Sequence, residues 1–358
     1  MSRATSATIH LDALRHNLSL IRRRAPASRV MAVVKADGYG HGLERVAQAL
    51  QGADAFGVAA LSDAERLRAV GLSQRVVLLS GPDESSDLGL LRRLHVDAVI
   101  HHPSQLELLE QDSGGEPIRT WLKLDTGMHR LGFPATDARE VHARLLKLPA
   151  VHPDIVLMSH FARSDEFECA VTAEQIRRFD AAVAGLAGEH SLSNSAGVLG
   201  WPGAHRDWIR PGGALYGLSA VEGATGESMG LEPAMTLSTR LISVKHIEPG
   251  DAVGYGGAFV AERPLRIGIA AIGYGDGYPR HAGSGTPVSV GGQLTRTVGR
   301  VSMDLMAVDL SDLPDAGVGA PVVAWGRGLP VEVVAQSAGT LGYELACGIT
   351  RRVRFIED

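Results

Sequence analysis

The chain has 358 residues, 45% of them hydrophobic, and a formal net charge of -5, which is length for two domains, or one barrel with an appendage, and apolar content for a large core. The acidic balance argues against a nucleic-acid partner, and no apolar run approaches the roughly 20 residues of a bilayer crossing, so no membrane partner is expected. The opening stretch MSRATSATIHLDALRHN has no apolar signal region, so a cytoplasmic protein is expected, and Cys169 and Cys347 have neither disulfide nor metal-ligand spacing, so both are expected as buried thiols with no metal.

The first element is an amphipathic helix in IHLDALRHNLSLIRRRA, with Leu11, Leu14, Leu18 and Ile21 at helical spacing. Strand-like runs and helical patterns then alternate. The predicted strands are residues 29–34, 55–60, 75–80, 97–100, 120–124, 155–159, 191–193 and 208–209. Helical segments lie between most of them, including TAEQIRRFDAAVAGLAG, for which Thr172 is the expected cap. Eight strands with crossovers predict a parallel sheet, closed as a TIM-like (β/α)8 barrel, with an open doubly wound sheet as the alternative. Beyond about residue 229 the texture changes to closely spaced β-rich runs separated by Gly and Pro, ending in one helical stretch, VEVVAQSAGTL. The expectation is a barrel over residues 1–225 and a mostly β domain over 226–358, joined by the Gly- and Ser-containing AVEGATGESMG.

The stretch VMAVVKADGYGHG, residues 30–42, carries the first chemical signal. Its apolar run suits a strand buried on both faces. It then meets Lys35 and breaks into a turn of Asp37, Gly38, Gly40 and Gly42. Desolvation at the end of a buried strand lowers a lysine pKa and makes its amine nucleophilic; a lysine snorkelling to solvent is the plainer alternative. Other polar residues stand at or beyond strand ends: Tyr39, Lys123, Asp125, Arg130, His160, Asn194, Ser195 and Arg210. A lone histidine there is most often structural. Lysines, arginines, a histidine and a serine converging on one barrel rim point to a site.

In order along the chain, AVVKADGYGHG, LKLDTGMHRLGF, HFA, SNSAG, RPGGALYG, VGYGGAF, GYGDGYPR and GRVSMD resemble the motifs of the alanine racemases, fold-type III pyridoxal-phosphate enzymes. The resemblance covers nearly the whole chain. It implies a barrel plus a β domain, pyridoxal 5'-phosphate as cofactor, alanine as substrate and a homodimer with shared active sites. Lys35 then looks like the Schiff-base lysine. Tyr39, Ser195 and the backbone N–H groups of Gly212 and Gly213 look like ligands of the cofactor phosphate, although a barrel-closing turn explains the two glycines almost as well. Arg210 resembles the arginine set against the pyridine nitrogen, and His160 the residue between that arginine and the catalytic tyrosine. Arg130 resembles the group that meets the substrate carboxylate, and its planar fork suits that task. Tyr255 resembles the second base, reached from the partner subunit, opposite Lys35 in a two-base mechanism. Met303, Asp304 and Tyr274 resemble the other partner-subunit residues around the substrate. Without the resemblance, a tyrosine in a Gly-rich turn reads as packing.

Lys123 sits in an otherwise apolar strand, TWLKLD. It reads either as a lysine paired with Asp125 or another carboxylate, or, as the resemblance implies, as a carbamylated lysine that orients the neighbouring arginine. One departure stands out: some family members carry a tyrosine where GITRRVRF places Arg351. A related decarboxylase of basic amino acids resembles this layout but has a GGG phosphate loop, and only paired glycines occur here. A broad-specificity racemase also fits, whereas a non-catalytic pyridoxal-phosphate carrier resembles the barrel alone. The motifs are common to racemases that supply D-alanine for peptidoglycan precursors and to those that break alanine down.

Overall fold

The computed structural model describes residues 4–112, 114–219 and 221–358. They divide into two compact units, one built on Arg15–Leu215, the other on Thr225–Asp358 with Tyr216–Ser219 and the segment ending at Leu14.

The first unit holds eight parallel strands: β1 (Arg29–Val33), β2 (Ala55–Val58), β3 (Arg75–Leu78), β4 (Val96–Ile100), β5 (Thr120–Asp125), β6 (Val156–Met158), β7 (Glu189–Ser191) and β8 (Trp208–Ile209). Each pairs with the next, and β8 returns to β1 with Trp208 opposite Arg29, which closes the ring. The predicted (β/α)8 barrel is what forms. Strands buried on both faces read as apolar runs, and that is why most of them were visible. The seventh is displaced: residues 191–193 were expected, but β7 is the polar Glu189–Ser191. The helix expected from Thr172 starts at Ala170 instead, with Thr172 buried inside it.

Met31, Ala55, Val77, Val99, Val156 and Met158 fill the barrel interior. Beneath them, at the amino ends of the strands, lies a polar floor. Trp121 Nε1 donates to Asp97 at 2.8 Å, and Trp208 Nε1 to Glu189 at 2.8 Å. Arg75 pairs with Asp97 and Arg29 with Glu189. The Arg75 guanidinium carbon lies 5.5 Å from the Trp121 ring centre and 5.4 Å from that of Trp208, within cation–π range. These paired side chains occupy the amino end of the barrel, and Lys35, His160 and Arg210 follow the carboxyl ends of their strands.

In the second unit, Leu265–Ala270, Met306–Asp309, Gln293–Val298, Pro287–Val290, Pro321–Trp325 and Met235–Ile247 follow one another, and Met235–Ile247 pairs back with Leu265–Ala270. The result is a closed antiparallel ring. Ser6–Ile9 adds antiparallel to Met235–Ile247, and Arg354–Glu357 adds parallel to Ser6–Ile9. The expected first helix is present as Leu11–Arg24, but Ile9, read as its start, belongs to a strand. Neither thiol is buried: Cys169 is half-buried just ahead of helix Ala170–Val183, and Cys347 is exposed at the end of helix Gly342–Cys347. Helix ends face outward, which sequence hydropathy does not register. Among the described residues no helix is long and apolar enough to cross a membrane.

Candidate active site

Lys35 follows β1 at the carboxyl end of the barrel, and the chain after it winds left-handed. Ala36 and Asp37 have φ/ψ of 54°/50° and 54°/47°, Gly38 62°/45°, and Tyr39 a φ of 52°. The turn is internally bonded, with Gly38 N–H donating to Val34 O and Gly40 N–H to Ala36 O, both at 2.9 Å. Left-handed backbone costs an L-residue roughly 1–2 kcal/mol, and three non-glycine residues adopt it here. External anchors hold it: Asp37 Oδ1 accepts from Leu43 N at 3.1 Å and from Arg66 at 2.7 Å, while Arg66 also grips Glu44 through two 2.7 Å bonds. Such strain persists where the surroundings over-determine it, as they do at functional sites. It sets Lys35 and Tyr39 at the two ends of one rigid turn.

Arg210, one residue past β8, is 4% exposed. Its guanidinium donates to Ser191 Oγ at 2.6 Å and Ser159 O at 2.6 Å, and it lies 3.3 Å from His160 Nδ1. Burial pulls its pKa down to about 10, so it stays charged at neutral pH. Burial, with the Arg210 charge beside it, holds His160 well below its ordinary value. The histidine is thus neutral, and because arginine can only donate, Nδ1 accepts and Nε2 carries the proton.

Asn194 caps the short helix Ser195–Gly200, its Oδ1 accepting from Gly197 N at 2.9 Å. Ser195 Oγ accepts from Gly212 N at 2.9 Å and Ala214 N at 3.2 Å. Two incoming N–H groups use its lone pairs and turn its own proton outward. Gly212 lies so close to Tyr39 that a Cβ there would collide with the phenol oxygen. Gly213 opens the turn Gly213–Tyr216. The Ser195 and Tyr39 hydroxyls, brought together across Gly212, form a cradle of donors suited to an oxyanion such as a phosphate. Arg210, a donor without lone pairs, suits an uncharged ring nitrogen. The residues present fit pyridoxal phosphate at both ends.

Lys123 is 7% exposed on the barrel's inner face. Burial, with Arg210 and Arg130 nearby, drops its pKa to about 8, and Lys35 adds a smaller downward push. Asp125 is engaged with the next loop instead: its Oδ1 accepts from the N–H groups of Gly127, Met128 and His129 at 2.9–3.1 Å, and Oδ2 meets His129 Nδ1 at 3.0 Å. Against the upward push of burial, those bonds hold its carboxyl below the usual range. The loop so organised ends in the exposed Arg130. Lys35, Lys123, Arg130, His160 and Arg210 therefore form one electrostatic cluster.

The remaining expected residues lie in the second unit. Tyr255 sits in the tip joining the short strands Ala252–Val253 and Phe259–Val260, and is 72% exposed. Tyr274 begins a tight turn whose N–H donates to Ser302 O at 3.0 Å, and Gly275 N–H donates to Met303 O at 2.8 Å. Tyr274, Met303 and Asp304 thereby share one surface, with Met303 52% exposed. Sequence reasoning missed Arg66, Asp125 as a loop organiser, Ser159 and Ser191 as acceptors for Arg210, and Arg352, described below. Of these only Asp125 had a signal, an aspartate two residues before a glycine in KLDTGMHR.

Residues 9–220 match the family model "Alanine racemase, N-terminal domain", and residues 234–357 match "Alanine racemase, C-terminal domain". An alanine racemase of Halorhodospira halophila is 48% identical over 99% of this chain and 98% of its own length, and one of Nitrosococcus oceani is 51% identical over 97% of each. The crystal structure of the biosynthetic alanine racemase from Pseudomonas aeruginosa superposes with a TM-score of 0.97 at 47% identity, covering 99% of both chains. The alanine racemase from Bartonella henselae, solved with covalently bound pyridoxal phosphate, matches at a TM-score of 0.89 and 26% identity over 99% of both.

Proposed function

The chain belongs to the alanine racemase family, and from that premise we propose that it interconverts L- and D-alanine by moving the Cα proton between two bases, Lys35 on one face and Tyr255 of the partner subunit on the other. As a member of that family it is a pyridoxal-phosphate-dependent isomerase. The observation that carries the reading is the rim cluster of Lys35, Lys123, Arg130, His160 and Arg210 beside the cradle of the Tyr39 and Ser195 hydroxyls.

When bound, pyridoxal phosphate supplies the electron-withdrawing ring that makes the Cα proton removable. Tyr39, Ser195 and the N–H groups of Gly212 and Gly213 would hold its phosphate; in the structure Gly212 already gives its N–H to Ser195. Arg210 would stand against the ring nitrogen and hold it unprotonated, because a guanidinium does not give up its proton at neutral pH. A ring so held would be a weaker electron sink, which would favour reprotonation at Cα over other outcomes. His160, neutral, fixes the Arg210 guanidinium. Arg130, aimed by the loop that Asp125 organises, binds the substrate carboxylate. Lys123, carbamylated, would turn a repelled cation into an anion that orients Arg130.

The reading requires a homodimer. Tyr255, Tyr274 and Met303 are exposed on the second unit, and a second copy of the chain is the occupant that would cover them and complete its sites. Met303, Asp304 and Tyr274 of the partner subunit would then line the substrate. We expect the reaction in the cytoplasm, where D-alanine would be either a product for peptidoglycan precursors or a substrate for breakdown.

The test is Tyr255→Phe in deuterated water. With two separate bases, the variant still exchanges the α-proton of D-alanine through Lys35 while interconversion falls by two or more orders of magnitude, on the scale of losing a general acid–base group. Equal loss of exchange with both enantiomers would sink the two-base reading. Parallel assays with serine and with lysine separate an alanine racemase from a broader racemase and from a decarboxylase.

A further inference from the structure

The turn that carries Tyr274 and the loop that carries Met303 and Asp304 are tied together by a third segment near the chain's end. Arg352 pairs with Asp304 through one guanidinium nitrogen, and its Nε lies 3.5 Å from Oδ1 of Asp276, a carboxylate with no solvent exposure. The guanidinium packs close against Gly275, where a Cβ would collide with Nη1. Two residues earlier, Thr350 Oγ1 donates to Gly275 O at 2.8 Å and Thr350 N–H to Asp276 O at 3.1 Å. On its other side the turn is bonded to Ser302 O and Met303 O. Three segments distant in sequence meet at one side chain, which spans two carboxylates with a fork that lysine lacks.

We propose that Arg352 is a positioning residue that locks the Tyr274–Asp276 turn and the Met303–Asp304 loop into one rigid wall, and so sets how large a substrate side chain the site admits. The proposal rests on the reading that Tyr274, Met303 and Asp304 line a substrate site. Arg352 is 38% exposed at its side chain and touches no reacting atom in that reading; its effect passes through the two loops. Asp276, buried and bound to Gly273 N at 3.1 Å, fixes the turn from within. Without Arg352 the two carboxylates lose the guanidinium that bridges them. A wall loosened by a fraction of an ångström discriminates poorly between a methyl and a hydroxymethyl group, where differences in fit are worth only about 10–200-fold to begin with.

The experiment compares kcat/KM for alanine and for serine in the holoenzyme and three variants, with thermal melting as the folding control. Arg352→Met is expected to lower the alanine-over-serine ratio about tenfold, and Arg352→Lys, which keeps the charge but not the fork, to fall between it and wild type. Met303→Ala, which alters the wall directly, is expected to lower the ratio too. A purely structural role would reduce both substrates equally and leave the ratio unmoved, which overturns the proposal. If Met303→Ala shifts the ratio and Arg352→Met does not, the clamp is wrong while the wall stands. If neither shifts it, the reading of the wall itself fails, and the clamp with it. Should Arg352→Met not fold, Arg352→Lys decides: a wild-type ratio in that variant overturns the clamp.

Discussion

Lys123 is buried among guanidinium groups, and its pKa near 8 has two consequences. The first is for stability. An unfolded chain holds this proton up to about pH 10.5, the folded chain only to about 8. Between those values the unfolded state binds more protons, so stability rises with pH; below 8 both states are protonated and the whole cost is carried. The second is reactivity: a carbamate forms when a neutral amine takes up CO2 and releases a proton, and at pH 8 about half of this amine is neutral. Incubation with carbon-13 bicarbonate at pH 8 should give an enzyme-bound carbamate signal in NMR that Lys123→Arg lacks. No signal, together with stability that climbs from pH 8 towards 10.5, would identify a bare lysine. Lys123 was legible because a charge in an apolar strand stands out. Arg66 and Arg352 were not, because an arginine in a polar stretch looks the same whether it grips a distant loop or only water.

At the scale of the element, the left-handed turn after Lys35 invites a stability series at Asp37. Asparagine tolerates this backbone and can still accept from Leu43, glycine tolerates it but accepts nothing, and alanine does neither well. Melting temperatures should therefore fall in the order Asn, Gly, Ala, with Asp37→Ala losing about 1–2 kcal/mol, mostly the backbone hydrogen bond, since the exposed pair with Arg66 is worth little. An alanine variant as stable as wild type would show that the turn needs no outside anchor. The turn's glycines were visible in the sequence, but its handedness was not, because Ala36 and Tyr39 give no hint of positive φ. β7 was misplaced for a related reason. Glu189 belongs to the polar floor and Ser191 accepts from Arg210, so that strand lacks the apolar alternation by which strands are found.

For the whole molecule, the change of texture near residue 229 announced a second β-rich unit, and the closed antiparallel ring agrees with it. What no local pattern could announce is that Ser6–Ile9 and Arg354–Glu357, from opposite ends of the chain, lie side by side in that unit. Pairing at that separation is a product of tertiary structure alone. The division into units also frames the assembly. Lys35 belongs to one unit and Tyr255 to the other, and in the proposed dimer they meet across subunits. Mixing inactive Lys35→Ala with inactive Tyr255→Ala, under exchange confirmed by native mass spectrometry, gives hybrids with one doubly defective site and one intact site. Half the dimers are hybrid at equal input, so about a quarter of wild-type activity should return. Confirmed hybrids without activity would rule out sites shared in this way.

The floor of Trp121, Trp208, Arg75 and Asp97 bears on where protons come from. Both indoles are at most 2% exposed, and the apolar layer above them is equally dry. Solvent that reaches the floor is therefore separated from the rim by that packed layer. In the proposed reaction, the exchange of a base's proton with solvent, on which the deuterium experiment depends, would then run on the side of the mouth and not through the floor. The barrel's base would act as a stopper, leaving proton traffic to the side by which a substrate enters.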